Sequence, residues 1–290
     1  MATPTASAPI AKSVGSRTPM TVDQVFILTR YQLRDYLRSR RFVILYGIVV
    51  AIGVIFTALL AHYRPHGLVG SAAGLYGSIW GGGVTFVIVL AAIFFGGDAI
   101  AGEFQNKTGY FLMGLPIRRA AVYAGKFIAA FVASLGAVVV FLLILLANGA
   151  FYLGGNAFPW QLGASFLLSV VYLLAVMGAT FLFSSLFKTS AYGIILTALL
   201  FLFGFSILQT VVTDLTTLEP WFVISYADAV IGDIFVNPYP MHYAVGPAFP
   251  GGPIVASWTP TVIEGVAIML GYFLVTSIAG LLLFEREEFT

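Results

Sequence analysis

The sequence predicts an all-α integral membrane protein that crosses the bilayer six times. Hydrophobic residues make up 60% of the 290 residues and charged residues only 9%, whereas a soluble domain has about 25% charged residues. Six apolar runs reach the length of about 20 helical residues that the hydrocarbon core requires. They cover 42–61, 74–97, 127–153, 162–187, 192–212 and 262–284. Backbone groups in lipid must be hydrogen-bonded within their own segment, and no alternating ten-residue pattern is present, so these runs are predicted to be helices.

Positive charge is gathered on one side of these spans. All 14 Lys and Arg residues except Arg64 fall on the side of the two termini. Loops rich in Lys and Arg remain in the cytoplasm, so we expect a multi-pass protein of the cytoplasmic membrane with both termini cytoplasmic. Residues 1–20 lack the apolar core of a signal peptide and are expected to form a disordered tail, which leaves 21–290 as one transmembrane domain.

A basic amphipathic helix is predicted just before the first span. The pattern at 21–24, Thr-Val-Asp-Gln, is a capping box that can start a helix. Arg30, Arg34, Arg38 and Arg41 then fall on one stripe of a 3.6-residue period, beside a broad apolar face. Such a helix is expected to lie in the plane of the membrane interface. It is either a topology signal that binds anionic lipid or an elbow that packs against the bundle and a partner.

The long polar break between the second and third apolar runs is predicted to be the docking segment. An acid-first, base-later order there predicts a short amphipathic helix at the membrane surface. Its candidate functional residues have charged, amide or phenolic side chains. They are Asp98, Glu103, Gln105, Asn106, Lys107, Tyr110, Arg118 and Arg119. Glu103 and Lys107 form an i, i+4 pair in the favourable order, which stabilises a helix by about 0.3–0.5 kcal/mol.

The segment 213–259 before the last span is too long for a simple connection, because loops beyond about 12–15 residues usually have structure of their own. Glu219-Pro220 is a favourable helix start, and 221–235 is predicted to be an amphipathic helix. Turns are predicted at 237–240 and 250–253. The aromatic residues expected at the outer interface are Trp221, Phe222, Tyr226 and Phe235. We expect a partly buried, re-entrant external cap.

Several kinds of chemistry are missing from the sequence. There is no GxxxxGK[ST] loop, since Gly125-Lys126 lacks the spaced glycine and the hydroxyl residue, so the chain is not expected to hydrolyse ATP alone. The chain has no Cys, which excludes disulfides and thiol catalysis. There is no HExxH motif, and His62, His66 and His242 are not at ligand spacing, so they are expected to be interfacial side chains rather than metal ligands. No catalytic, cofactor or metal site is expected.

Few polar groups lie within the predicted spans. Asn148 and Gln209 are candidates for helix–helix hydrogen bonds or for the lining of a pathway. Glu264 follows Thr261 by three positions, so it either completes a capping box or has a transport role. An ion-coupled carrier normally has a charged or broken-helix site near the midplane, which argues against that class here.

These features resemble the six-span permease subunits of ABC transporters of the ABC-2 type, over most of 21–290. The resemblance is strongest after the second span, where this family has an acid, a Glu, a Gly/Thr turn, a Leu-x-Pro-basic stretch and a Gly-Lys pair. They correspond here to Asp98, Glu103, 107–109, 115–119 and 125–126. The resemblance implies two permease copies, identical or paired with a relative, above two ATPase subunits that bind ATP and Mg²⁺. It also implies that 100–114 acts as the coupling helix.

The expected function is therefore that of a non-catalytic permease subunit in an ATP-driven transporter, an exporter. One alternative is a secondary transporter or channel that works without an ATPase, and another is a membrane scaffold that transmits force without moving cargo. Apolar span surfaces and the aromatic cap favour an amphipathic or lipid-linked cargo. Expected partners are ATPase subunits, a second permease copy and membrane lipids, with no role for nucleic acid.

Overall fold

The computed structural model describes residues 21–65, 68, 70–106, 117–216, 218–247 and 254–286. Within them lie six helices long and apolar enough to cross a membrane, which confirms the six-span prediction. These helices, called spans 1 to 6, are Arg40–Tyr63, Ala73–Gln105, Arg119–Leu153, Trp160–Leu186, Ser190–Thr216 and Val262–Arg286. Most bounds differ from the predicted ones by a few residues. The predicted tail at 1–20 lies outside the described residues.

The third span begins earlier than predicted because a helix does not have to stop where its apolar run stops. Hydropathy placed its start near residue 127, but the helix begins at Arg119. Arg119 and Lys126 therefore stand on the first turns of span 3. This places a lysine ammonium inside the bundle, where it becomes part of the site described below.

The N-terminal helix covers Thr21–Arg38 and is separate from span 1. The Ser39 side chain accepts a hydrogen bond from Phe42 N at 3.3 Å and so caps span 1 at its first turn. The expectation that one helix carries all four stripe arginines is wrong, because this break places Arg41 in span 1. The other three, Arg30, Arg34 and Arg38, are exposed on the N-terminal helix.

The N-terminal helix lies along span 3 and contacts it closely. A Cβ atom added at Gly125 would lie 2.7 Å from the Leu28 Cβ, so the two helices approach with only a glycine between them. Thr29 Oγ1 donates to Gly125 O at 3.2 Å, and Tyr36 OH donates to Phe95 O of span 2 at 2.9 Å. This helix is thus held to two spans by side-chain-to-backbone hydrogen bonds.

Span 2 lies at the centre of the bundle, between spans 3 and 4. Within its most apolar stretch 72% of residues are buried, against 22% in span 1, 17% in span 5 and 11% in span 6. It starts as a π-helix, Ala73–Trp80, continues as an α-helix, Gly81–Gly96, and after a turn ends in the short helix Ala101–Gln105. Spans 1, 5 and 6 are therefore the spans with most apolar surface left for lipid or for another chain.

The remaining spans surround this centre. Span 3 ends in the 3₁₀ turn Gly154–Asn156. Span 4 packs along span 6, and a Cβ atom at Gly280 would lie 3.2 Å from the Leu182 Cα, so the two backbones are close. Span 5 consists of the α-helix Ser190–Leu199, the π-helical turn Leu200–Gly204 and the α-helix Phe205–Thr216.

The cap between spans 5 and 6 differs from its prediction. The predicted helix at 221–235 is two short helices, Ile224–Ala227 and Val230–Asp233, and it does not start after Glu219-Pro220. A two-stranded antiparallel hairpin, Tyr243–Pro247 with Ile254–Trp258, was not predicted at all. Its register places Tyr243 opposite Trp258. The predicted turn at 250–253 lies outside the described residues.

The cap packs against the bundle more tightly than its aromatic pattern indicated. Tyr226 and Phe235 were expected at the membrane interface, but they are buried, and only Trp221 and Phe222 are exposed. A Cβ atom at Gly81 of span 2 would lie 2.7 Å from Gly232 Cα, so cap and span meet backbone to backbone. Trp80 Nε1 donates to Ser165 Oγ at 2.9 Å, and this hydroxyl donates to Ile231 O of the cap.

Candidate functional site

The end of span 2 is the strongest candidate site. Residues 98–106, here called the junction segment, include the turn after Gly96 and the helix Ala101–Gln105. The segment lies beside the N-terminal helix, and the polar cleft between them has a volume of about 320 Å³. Its charged lining residues include Asp35, Arg41, Asp98, Glu103 and Lys126. Charged groups of four chain segments thus meet at this end of the bundle.

The ion pair between Lys126 and Glu103 joins span 3 to the junction segment. The Lys126 Nζ donates to Glu103 Oε1 at 2.5 Å and to Ala99 O at 2.8 Å. The side chains are only 9% and 18% exposed, respectively. An ammonium group removed from water is costly unless it is paired and hydrogen-bonded. The junction segment therefore supplies the groups that make Lys126 tolerable inside the bundle.

A second ion pair, Arg41 with Asp98, joins span 1 to the same segment. The Arg41 side chain is half exposed, so water screens this pair and its contribution to stability is modest. Its geometric effect is nevertheless clear. It connects the first turn of span 1 to the turn in span 2 that precedes the short helix Ala101–Gln105.

Span 4 binds the backbone of the junction segment. Ser184 Oγ accepts hydrogen bonds from Ile100 N and Ala101 N, both at 3.0 Å. The first N–H groups of a helix have no partner within the helix. Ser184 supplies that partner from another span, so the short helix Ala101–Gln105 is capped by its neighbour rather than by its own sequence.

Span 5 is tied to the other end of the segment. Gln105 Oε1 accepts a hydrogen bond from Ser190 N at 2.9 Å, at the first residue of span 5. The two segments also meet at Gly193, where a Cβ atom would lie 2.9 Å from Gly97 O. The junction segment is therefore in direct contact with the start of span 5.

The N-terminal helix closes the site from the remaining side. The Tyr36 hydroxyl is buried where it donates to Phe95 O. Burial, with the Asp98 carboxylate as a smaller cause, raises the pKa of the Tyr36 hydroxyl far above its ordinary value. The hydroxyl stays protonated and remains a donor across the physiological range.

The predicted site residues fall into three groups. Asp98, Glu103, Gln105 and Asn106 lie in the junction segment. Arg118 and Arg119 do not lie in the segment. They start span 3, where Arg118 N donates to Gln24 Oε1 at 3.3 Å and an Arg119 guanidinium nitrogen donates to Glu285 O at 2.7 Å. Lys107, Tyr110 and the rest of the predicted coupling helix beyond 106 lie outside the described residues, as does the Glu103–Lys107 pair.

Sequence reasoning missed the partners of the junction segment. Lys126 was noted as part of an incomplete phosphate-loop pattern and of the Gly-Lys pair in the family resemblance, without a partner, and Ser184 and Ser190 were not singled out. A lysine at the start of a long apolar helix was a signal that a carboxylate lies nearby, since a buried ammonium needs one. No comparable signal marks the serines, because hydroxyls in a span usually bond to their own helix.

The polar residues predicted within the spans lie away from this site. Asn148 Nδ2 donates to Thr57 Oγ1 at 2.8 Å, a hydrogen bond between spans 3 and 1. Gln209 Oε1 accepts from Ser225 Oγ of the cap at 2.7 Å. Glu264 and Thr261 make the two reciprocal hydrogen bonds of a capping box, at 3.2 and 3.3 Å. All three act in helix contacts at the cap end of the bundle.

The junction segment is bonded to several spans at once. Within the described residues it brings together two ion pairs and a set of backbone hydrogen bonds, and its charged groups are paired with one another. These contacts connect spans 1, 3, 4 and 5 to the junction segment, and the N-terminal helix is bonded to span 2 just before that segment, at Phe95. One short segment is therefore bonded to four spans at once.

Comparison with known proteins agrees with this architecture. No curated protein sequence matches the chain. A family model described as ABC-2 family transporter protein matches residues 27–289, which include all six spans and the junction segment. A match over nearly the whole chain, together with six apolar helices, shows that this multi-pass membrane protein belongs to the ABC-2 family of transporter proteins.

Proposed function

We propose that this chain is the permease subunit of an ATP-driven exporter and that a separate ATPase subunit docks on the junction segment. The observation that carries the proposal is the set of bonds from this one segment to spans 1, 3, 4 and 5. The chain itself supplies no ATP site, since its sequence has no phosphate-binding loop. Energy has to enter through a partner.

ATP binding in a partner can shift the permease only if the partner contacts two membrane states differently. A surface segment bonded to a single span would move that span alone. The junction segment is bonded to four, so one docking event acts on the arrangement of the bundle. The candidate docking residues are the exposed Gln105 and Asn106 at the tip of the segment, with Arg118 and Arg119 at the start of span 3.

The proposed orientation places the junction segment in the cytoplasm, where ATP is available. Support comes from the charge asymmetry, since the basic residues of the N-terminal helix and of the start of span 3 lie at this end. In this orientation the cap is external and both termini are cytoplasmic. ATP and Mg²⁺ would then be held by the partner alone.

The proposed cargo is amphipathic or lipid-linked. Trp221 and Phe222 of the cap and Tyr272 of span 6 border a mostly apolar groove of about 490 Å³, which suits an acyl or other apolar group better than an inorganic ion.

A second permease copy is also part of the proposal. Spans 1, 5 and 6 leave most of their apolar surface exposed, and this surface suits contact with lipid and with a second copy.

The first test is purification of the chain from membranes in mild detergent, with measurement of any soluble ATPase that accompanies it. We expect an ATPase in near-equal amount and ATP hydrolysis that cargo stimulates. The variant Asn106→Trp should reduce recovery of the ATPase, because Asn106 is exposed at the tip of the junction segment. Asp214→Trp, exposed at the other end of span 5, is the matched control and should leave recovery unchanged.

Further measurements on the same purified chain separate the alternatives. Cargo movement in proteoliposomes without any ATPase would overturn the proposal in favour of a secondary transporter or channel. ATP hydrolysis coupled to an external partner, with no cargo moved, would favour a force-transmitting scaffold. Equal loss of ATPase with both tryptophan variants would show that the junction segment is not the docking surface.

A further inference from the structure

Three potential metal ligands meet at the cap end of the bundle, far from the junction segment. One carboxylate oxygen each of Glu219 and Glu264 and one ring nitrogen of His242 lie within 4.8 Å of one another. Glu219 precedes the cap helices, His242 precedes the hairpin, and Glu264 stands in the first turn of span 6. The fold, rather than local spacing, assembles this group.

The hairpin fixes the position of the imidazole. Thr259 N donates to His242 O at 2.9 Å, which continues the pairing of Tyr243 with Trp258 by one step. The ring Nδ1 lies 2.9 Å from Thr259 O. Because a carbonyl oxygen only accepts, Nδ1 must carry the hydrogen. In the neutral ring the lone pair is then on Nε2.

That lone pair faces a carboxylate. His242 Nε2 lies 3.5 Å from Glu219 Oε1, and two acceptors at this distance repel unless a positive ion or a proton stands between them. The second carboxylate adds to the repulsion, since an oxygen of Glu264 lies within 4.8 Å of the other two groups, and its Oε2 is 3.8 Å from His242 Nδ1. A cation with two positive charges satisfies all three groups at once.

Each of the three groups is also oriented from outside the cluster. Tyr226 OH donates to Glu219 Oε1 at 2.9 Å, Thr261 N donates to Glu264 Oε2 at 3.2 Å, and Thr259 O holds the His242 ring. Metal ligands in proteins are characteristically held in this way, with a ligating histidine donating its other N–H to a carbonyl or carboxylate. The Tyr226 side chain is buried, so its hydroxyl holds the Glu219 carboxylate from inside the protein.

We propose that Glu219, His242 and Glu264 form a zinc site that fastens the cap to span 6. One imidazole and two carboxylates suit Zn²⁺ better than Mg²⁺ or Ca²⁺, which prefer oxygen ligands alone. Ligand atoms of a tetrahedral zinc ion stand about 3.3 Å apart, close to the 3.5 Å between Nε2 and Oε1. His242 is 41% exposed, so solvent can supply a water as the fourth ligand.

The consequence is mechanical, and it does not rest on the proposed function. A bound ion would connect the segment before the cap helices, the hairpin and the first turn of span 6. Binding to the folded chain stabilises it by mass action. The cap would then be fixed to span 6 when zinc is present and held only by its apolar contacts and hydrogen bonds when zinc is removed.

The test is zinc binding to the full chain, purified in detergent without a histidine tag and stripped with a chelator. Bound zinc is measured by elemental analysis after dialysis, and thermal unfolding is followed with and without ZnCl₂. We expect about one zinc per chain and a higher unfolding temperature with Zn²⁺ than with the same concentration of MgCl₂ or CaCl₂.

Two variants and a control locate the ion. His242→Ala should weaken zinc binding by tenfold or more, and Glu264→Gln should weaken it by a comparable factor. Gln is as good as Glu in a capping box, so Glu264→Gln separates ligation from capping. His62→Ala removes an exposed histidine of span 1 that lies in none of these contacts, and it should bind zinc like the parent.

The outcomes decide the matter even if one variant folds poorly. Zinc binding that survives both His242→Ala and Glu264→Gln, or that is lost equally with His62→Ala, would overturn the site. Absence of zinc binding in the parent chain would also overturn the site. If the unfolding temperature of the parent then rises at acid pH and that of His242→Ala does not, a protonated imidazole takes the place assigned to the ion.

Discussion

The ion pair between Lys126 and Glu103 allows a quantitative test of the junction segment. In Glu103→Ala the carboxylate is removed, and Ala99 O, 2.8 Å away, is the acceptor that the Lys126 ammonium keeps within the described part of the chain. Breaking a fully buried pair costs about 3–5 kcal/mol. The Glu103 side chain is 18% exposed and borders a cleft that admits water, so we expect a cost nearer 2–3 kcal/mol.

The assay is thermal unfolding of the purified chain in detergent, followed by its tryptophan fluorescence. For a chain of this size class, 1 kcal/mol corresponds to roughly 2–4 °C, so Glu103→Ala should lower the unfolding temperature by roughly 4–12 °C. Asp214→Ala, which removes an exposed carboxylate at the other end of span 5, is the matched control and should change it little.

A double variant tests the physical reason. Glu103→Ala with Lys126→Met removes both charges and keeps most of the apolar volume of the lysine stem, so no unpaired ammonium remains. With Lys126→Met measured alone as the third variant, we expect the loss of stability in the double variant to be smaller than the sum of the two single losses by about 1 kcal/mol or more, a coupling energy expected of contacting residues. Additive losses, or a Glu103→Ala variant as stable as the control, would refute the view that Glu103 neutralises a buried lysine.

Three further outcomes are expected. Ser184→Ala leaves two buried N–H groups of the junction segment without their acceptor, which should cost about 1–3 kcal/mol of stability. The unfolding temperature and the ATPase coupling of this variant should fall. The neighbouring Ser185→Ala, which loses a bond to its own helix, should change both less. Gly81→Ala should destabilise the chain by about 1–3 kcal/mol because its Cβ atom meets cap backbone at 2.7 Å, whereas Gly82→Ala has open space and should be tolerated in the same melting assay. Burial raises the pKa of the Asp228 carboxyl in the cap to about 7. Since this carboxyl ionises near pH 3.9 in the unfolded chain, the free energy of unfolding should fall as the pH rises from about 4 to 7. The unfolding temperatures at pH 5 and pH 8 should therefore differ less for Asp228→Asn than for the parent.

The spans show how far hydropathy alone carries the prediction. A run of apolar residues long enough for the bilayer has to be a helix, because lipid offers no other partner for its backbone. All six helices were therefore predictable, and their central parts match. Hydropathy failed at the start of span 3. It placed the start of span 3 after Lys126, because it assigns a charged residue to water and takes no account of a carboxylate brought near by folding.

The cap shows the opposite case. The run 221–235 predicted an amphipathic helix with its aromatic residues at the interface, but Tyr226 and Phe235 pack inside the protein and the helix is broken in two. The direction in which an aromatic side chain points depends on the surface beneath it. That surface is formed by spans distant in the sequence, so no local pattern could indicate it.

The sequence by itself determined the membrane class, the number of spans, the uneven distribution of charge and the resemblance to one transporter family, because each depends on composition or on neighbours along the chain. Only the tertiary structure decided which groups neutralise each other. It brought Glu103 to Lys126 and Asp98 to Arg41, and it gathered Glu219, His242 and Glu264 at the cap. The physical reason is that electrostatic and hydrogen-bonding partners are set by distance in space, and in a helical bundle the nearest groups come from different helices.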